Sequence, residues 1–420
     1  MPPARGDIVA AVDVGSSKVS ALIAQLGEDG GVTVLGTGQR ESRGVRRGYV
    51  ADMGLTELAI RNALEQAERI AGLNVDSAWV SFAAGGLEST GLLVERRIGG
   101  NRIDAEDIDH LLETARDSID PMGKRVLHAR PVLYTIDGLN AAADPLGLFA
   151  DRLSVEVHVV LADEGPVRNV EAVVRNAHLD VAGIIAAPLA SGIACLTDEE
   201  REVGVAVIEM GASVTNLSTY AGGVLTGLAT IGWGAGDITD DIAAAFGIRR
   251  AQAERLKAKH GSAESSPRDH VEQIAIEREG EEGGAAEGEA RRITRAQLIA
   301  VIRTRLDHQL PDLKAALAAA GMSGPVGRPL VLTGGGAELA GIADYLQAAL
   351  GRPVRIGRPA GLKALPEAHG GPAFATLAGL ALIAARGERD LAREPSAPLA
   401  GEGGGGFLPA RLARALRRWF

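Results

Sequence analysis

The stretch IVAAVDVGSSK, Ile8 to Lys18, decides how the rest of the chain is read. Ile8, Val9, Val12 and Val14 form an apolar run with strand character, and Asp13 stands where that run gives out. Gly15 permits a turn too tight for a side chain, and Val19 to Leu26 returns as a second strand, so the loop is a hairpin tip. Ser16 and Ser17 place hydroxyls beside exposed N–H groups, and Lys18 adds a positive point charge. Such a tip cradles phosphate, and Asp13 is placed to hold a magnesium ion through water. It lacks the G-x-x-x-x-G-K of a P-loop, and no G-x-G-x-x-G follows. Taken alone, an ordinary hairpin turn ending in Ser-Ser-Lys reads the same way.

A second occurrence shifts the balance. Val203 to Met210, VGVAVIEM, is again an apolar run closing on an acid, Glu209. Gly211, Ala212, Ser213, Val214 and Thr215 follow, and a further strand is expected over Asn216 to Tyr220. An acid, glycine and hydroxyl hairpin opening each half of a chain marks an internal duplication. Two such halves, face to face, clamp phosphates from both sides, with Glu209 and Asp13 as the candidate catalytic acids. A third glycine loop, Leu332-Thr333-Gly334-Gly335-Gly336, precedes an expected helix over Ala337 to Leu350, and its glycines let backbone approach a ribose or flat ring. Three loops in this order resemble the actin, hexokinase and chaperone ATPase superfamily, which implies ATP and Mg²⁺ as ligands.

Composition bounds the alternatives. At 420 residues with 46% hydrophobic and 23% charged content, the chain supports more than one packed core. Aromatics make up 3%, so those cores are aliphatic and alanine-rich. A net charge of −10 argues against nucleic-acid binding. Cys195 is the single cysteine, which excludes an intramolecular disulfide. The opening MPPARGDI does not read as a signal peptide, and no apolar run reaches bilayer-spanning length.

Between the first strands and the second loop lies a block that breaks a simple actin pattern. Strands are expected at Thr33 to Gly38, Asp76 to Ala83, Gly91 to Arg97, Val126 to Ile136 and Leu153 to Val160, with helices at Leu55 to Ala71 and Ile108 to Ser118. Residues from about 84 to 162 thus read as an inserted α+β module. The phrase RVLHARPVLYTIDGLNAAADPLGLFADRLSVEVHVV, Arg125 to Val160, closely resembles the corresponding part of FtsA, the bacterial actin homologue family that ties the division ring to the inner membrane. DVGSSKV at Asp13 to Val19, LASGIACLTDEEREVGVAVIE, the stretch Ile238 to Gly261, VLTGGGAEL at Val331 to Leu339 and the tail are similar as well, so the resemblance spans nearly the whole chain.

That resemblance implies an α/β, actin-like (ribonuclease H-like, duplicated) ATPase fold with an inserted α+β subdomain and a C-terminal amphipathic helix. The divisions expected are 1–83 and 163–202 for the first half, 84–162 for the insert, 203–385 for the second half with a small subdomain at about 248–320, 386–406 for a linker and 407–420 for the terminal helix. It also implies that Glu254 accepts from ribose hydroxyls while Lys257 lies near the base; without it, the two are an i, i+3 surface pair. In the family the small subdomain receives the C-terminal tail of FtsZ, and Arg291 and Arg305 are the matching candidates on a basic face that also carries Arg292, Arg295 and Arg303. The partners implied are FtsZ, further copies of the chain, later division proteins and anionic lipid, at the cytoplasmic side of the inner membrane at the septum.

Other segments complete the reading. Asp198 to Glu202 is expected to be a solvated loop, and Ser262 to Arg292, centred on GEEGGAAEGE, is too polar to pack, with a short strand at Val271 to Ile276. Thr294 to Ala320 is expected to be a helix or helix pair with Leu298, Val301, Ile302 and Leu306 inward. Ala373 to Ala384 is expected to cross Leu189 to Leu196 as a hinge pair, closely packed at Gly192 and Gly379. Arg386 to Gly406 reads as a glycine-rich linker reaching about 25 Å on average. Beyond it, Leu408, Leu412, Ala415, Leu416 and Trp419 fall on one helical face with Phe420 at its edge, Arg411, Arg414, Arg417 and Arg418 take the rest, and Phe407 opens the segment as a further apolar membrane contact. A helix of about 21 Å is too short to span a bilayer and lies in the interface instead. Four arginines near anionic lipid contribute about 1 kcal/mol each, which makes the anchor reversible.

The second loop departs from the superfamily's pattern: glutamate opens it in place of aspartate, and Ser213 replaces a flexible glycine. The expectation is that ATP is bound and hydrolysed slowly or not at all. A pilus-assembly actin homologue shares the insert but lacks the tail. A sugar kinase needs a polar substrate set that the chain does not show, and a chaperone ATPase needs a further domain.

Overall fold

The protein is seen here in a computed structural model that describes residues 8–28, 30–84, 86–138, 140–142, 144–276, 291–322 and 328–386. The expected terminal helix and the linker from 387 onward, and the acidic centre at 277–290, lie outside the described residues.

The chain opens with β1 (Ile8–Val14), β2 (Lys18–Leu26) and β3 (Val32–Glu41), then the small hairpin β4 (Val45–Arg46) and β5 (Tyr49–Val50), α1 (Met53–Ala71) and β6 (Ser77–Phe82). The block after it holds β7 (Glu88–Arg102), α2 (Ala105–Asp117), β8 (Arg125–Ile136), β9 (Asn140–Ala142) and β10 (Phe149–Ala162). Next come α3 (Glu164–Asn176), β11 (Asp180–Ala186), α4 (Ala187–Cys195) and α5 (Asp198–Val203). The second half carries β12 (Val205–Met210), β13 (Thr215–Ala221), β14 (Val224–Ile231), α6 (Ala235–Phe246), α7 (Arg250–His260), β15 (Gln273–Ile276), β16 (Arg291–Thr294) and α8 (Arg295–Ala319). It closes with β17 (Leu330–Thr333), α9 (Ile342–Leu350), β18 (Val354–Ile356), β19 (Leu362–Lys363) and α10 (Ala375–Arg386).

The two principal sheets repeat one topology. The first runs β11-β6-β1-β2-β3-β19 and the second β18-β17-β12-β13-β14. In each, an antiparallel three-stranded meander is extended on one side by two parallel strands. The duplication inferred from two hairpin tips is therefore present across five strands. The intervening block forms its own antiparallel sheet, β7-β10-β8-β9, covered by α2. Its strands alternate in allegiance: Val157, Val159 and Leu161 of β10 face the core under α2, whereas Val160 and Ala162 belong to the core of the first sheet.

The helices α4 and α10 cross between the halves. A Cβ at Gly379 would lie 1.8 Å from Ala190 O, so only glycine allows that approach. Gly192 serves a different purpose from the one expected, because its missing side chain makes room for the Tyr220 ring, not for α10.

Several expectations are corrected. Asp198 to Glu202 is not a loop: Thr197 and Glu200 form a reciprocal cap that starts α5, and Arg201 is buried. The single helix expected from Ala337 breaks, because Gly341 turns left-handed (φ 70°) between a 3₁₀ turn at Gly335–Glu338 and α9. The strand expected from Val271 begins at Gln273, and Val271 is exposed. Thr294 to Ala320 is one helix with Pro311 inside it, in which Leu298, Ile302 and Leu306 are buried and Val301 partly so. Among the described residues, no helix is long and apolar enough to cross a membrane.

Candidate functional site

The two hairpin tips match residue for residue. Val14 pairs with Val19 in the first and Met210 with Thr215 in the second. Gly15 N donates to Lys18 O at 3.1 Å, and Gly211 N to Val214 O at 2.9 Å. A Cβ on Gly15 would sit 2.7 Å from Lys18 O, and one on Gly211 2.9 Å from Val214 O. The register makes Glu209 the counterpart of Asp13 and Val214 the counterpart of Lys18, so the second tip has no lysine.

At the first tip, Ser81 of the neighbouring parallel strand β6 organises the acid. Its hydroxyl donates to Asp13 Oδ1 at 2.7 Å and accepts from Val14 N at 3.0 Å. Burial pushes the Asp13 carboxyl above its usual range, against the Ser81 hydrogen bond and the Lys18 charge. Burial also brings the Lys18 ammonium down to about 8, opposed by Asp13 and Glu338. Lys18 Nζ lies 3.2 Å from the centroid of the Phe374 ring. Ser16 Oγ accepts from Gly48 N at 3.1 Å, and Ser17 is exposed.

The second tip is braced from behind. Gly211 O accepts from Ala235 N at 2.9 Å and Ala212 O from Gly236 N at 2.7 Å, which ties the start of α6 to the loop. Glu209 has both carboxylate oxygens engaged: Asn216 Nδ2 donates to Oε2 at 3.0 Å, and the Thr376 hydroxyl of α10 donates to Oε1. Burial drives the Glu209 carboxyl up to about 7; the Thr376 and Asn216 hydrogen bonds oppose this, and the nearby Asp13 charge adds to it. Thr215 sits in the sheet, where its buried hydroxyl donates to Trp233 O at 2.9 Å. Ala212 and Ser213 form the tip itself and are partly buried.

The third loop divides its glycines. Gly334 (φ 83°) and Gly336 pack on Met210, where a Cβ would fall 2.5 Å and 2.4 Å from its atoms. Only at Gly335 does a Cβ meet nothing nearer than Ala373, 3.9 Å away. Two of the three glycines thus serve packing against the end of β12, and Gly335 alone of the three is exposed.

Glu254 and Lys257 of α7 pair at 2.9 Å, and Lys257 Nζ also donates to Ala235 O at 2.9 Å and to Thr239 Oγ1 at 2.8 Å. Burial works to raise the Glu254 carboxyl, but Lys257 and Thr239 together hold it below its usual range. The pair is therefore docked on the same helix start that braces the second tip, and is no free surface pair.

Arg47 was not legible as a site residue. From the hairpin of the first half, with φ of 49°, it reaches the second half, donating to Gly232 O and lying 3.6 Å from Asp237, which in turn accepts from Gly234 N at 2.8 Å. Ser81, Phe374, Thr376 and Trp233 were missed as well. The indole Nε1 of Trp233 is buried without a hydrogen-bond partner among the described residues.

The proposed basic face is largely engaged. Arg305 makes two bonds to Asp241, at 2.5 and 2.6 Å, and Arg291 donates to Phe246 O at 2.7 Å. Arg295 bonds Asp269 and His260 O, and Arg303 lies 6.0 Å from the Tyr345 ring.

The residues present suit a magnesium nucleotide. Two partly buried acids with raised affinity for protons, one lysine and backbone turns opened by glycine form the donor set. No group of three or more His, Cys, Asp or Glu gathers as a metal cluster among the described residues. A hard cation shared with phosphates needs only one or two carboxylates and water.

Residues 206–379 match the family model for cell division protein FtsA, and residues 85–161 match the SHS2 domain inserted in FtsA. Cell division protein FtsA of Rhizobium meliloti (strain 1021) is 36% identical over 390 residues, covering 90% of this chain and 88% of that protein. Among solved structures, the PilM–PilN type IV pilus biogenesis complex aligns with a TM-score of 0.63 at 18% identity, covering 89% of this chain and 97% of that one. MreB5 of Spiroplasma citri bound to AMPPNP aligns at 0.54 and 13% identity, covering 91% and 96%. The fold is actin-like, and the chain belongs to the FtsA family of cell division proteins.

Proposed function

We propose that the chain binds magnesium–ATP between its two halves, assembles as an actin-like polymer at the division septum and anchors the FtsZ ring to the cytoplasmic face of the inner membrane. The observation that carries the nucleotide part is the register match of the two tips, which sets Asp13 and Glu209 at equivalent places in duplicated sheets. The AMPPNP bound by the MreB5 relative in fold supports the same reading.

In this reading the N–H groups and hydroxyls of residues 15–17 and the Lys18 ammonium hold phosphate from one side, and the braced tip at Gly211–Ser213 closes the other. Asp13 would hold the magnesium ion through water. Glu254 and Lys257 line the nucleoside end, with Gly335 giving the backbone close approach. Bound magnesium–ATP would supply the phosphoanhydride, its metal ion and the Lys18 ammonium offsetting the negative charge that phosphates and acids bring together. Glu209 does not readily act as a base on water while both oxygens accept from Asn216 and Thr376, so slow or absent hydrolysis is expected.

Arg291 and Arg305 contact the acidic tail of FtsZ only by exchanging their partners Phe246 O and Asp241 for it. The amphipathic segment 407–420 supplies the lipid contact, and several tails on one polymer give avidity.

Sedimentation with anionic liposomes tests the tether, using the full chain and a version ending at Gly403, each with and without FtsZ. The full chain is expected to pellet and carry FtsZ, and the truncation to do neither. A full chain that stays in solution removes the tether. Phosphate release equal to that of a standard family member removes the slow-hydrolysis reading.

A further inference from the structure

The five residues where α10 begins touch all three loops. Pro372 O accepts from Gly334 N at 3.1 Å and from Thr333 Oγ1 at 3.2 Å. Thr376 donates to Glu209, and the Phe374 ring carries the Lys18 ammonium 3.2 Å from its centroid. Phe374 is itself fixed. It is buried, and His369 packs edge-on against it at 4.5 Å and 87°. His369 Nδ1 is in turn 3.2 Å from Thr37 Oγ1 of β3.

An ammonium over a ring face is attracted by the ring quadrupole, but it does not thereby satisfy its N–H donors. Phosphate oxygens offer those donors shorter, charge-assisted bonds. The ring and a phosphate are therefore competitors for one lysine, and the ring belongs to the residue that leads directly into the hinge helix.

We propose that Phe374 is a positioning residue of the nucleotide site: it holds the Lys18 ammonium against the start of α10, and an arriving phosphate draws that ammonium off the ring. This rests on the reading that the cleft takes ATP, and adds to it a means by which the hinge helix registers the occupant. Because binding then includes the cost of leaving the ring, removing the ring tightens nucleotide binding, by about fivefold for a contact of ordinary strength.

The test uses the full chain with its lysines reductively ¹³C-methylated, the Lys18 signal being the one lost in Lys18→Arg. Without nucleotide, the wild-type signal is expected at an upfield, ring-current-shifted position. The shift disappears in Phe374→Leu and persists in Phe374→Tyr, which keeps the ring. Saturating magnesium–ADP moves the wild-type signal to the Phe374→Leu position. A fluorescent ADP analogue on the same samples reports binding, about fivefold tighter for Phe374→Leu and unchanged for Phe374→Tyr. A Lys18 signal that stays put while the analogue binds, or that is the same in Phe374→Leu and wild type, overturns the proposal and leaves the nucleotide reading standing. A wild type that binds no analogue overturns both.

Discussion

The two hairpin tips share a backbone and differ in almost everything the backbone carries. Each closes on a glycine N–H donating to the carbonyl three residues on, and each lies beside a parallel neighbour strand. The first tip carries the charge: Lys18 projects from it, and Ser17 is open to solvent. The second puts Val214 at the lysine's place, sends Thr215 into the sheet and ties its carbonyls to α6. Duplication thus preserved the turn and divided the labour. Both tips follow a buried acid, but only the first carries a lysine and only the second is tied by its carbonyls to a helix start.

The sharpest way to break that contrast is at the matched positions. Lys18→Ala is expected to weaken ATP binding by about two orders of magnitude, the scale of losing charge-assisted bonds to phosphate. Val214→Ala should change it less than about threefold. Isothermal titration distinguishes them, and equal losses would show that both tips contribute charge-independent contacts only.

Stiffness is tested next. At Gly236 a Cβ would lie 2.5 Å from Ala212 O, so Gly236→Ala is expected to destabilise the fold by roughly 2–4 kcal/mol in urea unfolding. Ser17→Ala on the exposed first tip should stay within about 0.5 kcal/mol.

The acids give a pH signature. Glu209 titrates near 7 in the fold, well above an unfolded glutamate, so the native state favours its protonated form. Stability from this group is full below the unfolded value and is lost as pH rises toward 7, then stays level. Glu209→Gln should remove that decline and raise the melting temperature at pH 8, an effect of about 3 kcal/mol. A mutant with an unchanged slope between pH 5 and 7 would mean that the acid is not desolvated.

A modest effect is expected at Arg47. Its contacts with Gly232 O and Asp237 cross between the halves but are exposed, and exposed pairs contribute at most about 1 kcal/mol. Arg47→Ala should speed nucleotide release by no more than about fivefold in stopped-flow measurements.

What the sequence disclosed follows physical locality. The tips were legible because acid, glycine and hydroxyl sit within a few residues, and the insert because its long phrase is distinctive. Ser81, Phe374 and Thr376 were not, since each meets its partner from a distant segment, and no local pattern marks a phenylalanine that will lie beneath a lysine. The α5 cap was available as Thr197 and Glu200 at capping-box spacing, but the charged run beside it read as solvated loop. The third loop's glycines read as ligand contacts because sequence does not distinguish glycine needed for packing from glycine needed for a ligand; Met210 takes up two of the three.

The clamp between duplicated tips is tested most directly by amide hydrogen exchange of the full chain with and without magnesium–ATP. Peptides covering residues 13–18, 209–215 and 332–337 are all expected to gain protection together on binding. Protection confined to the first tip, with the second unchanged, would contradict a clamp and leave a one-sided phosphate site.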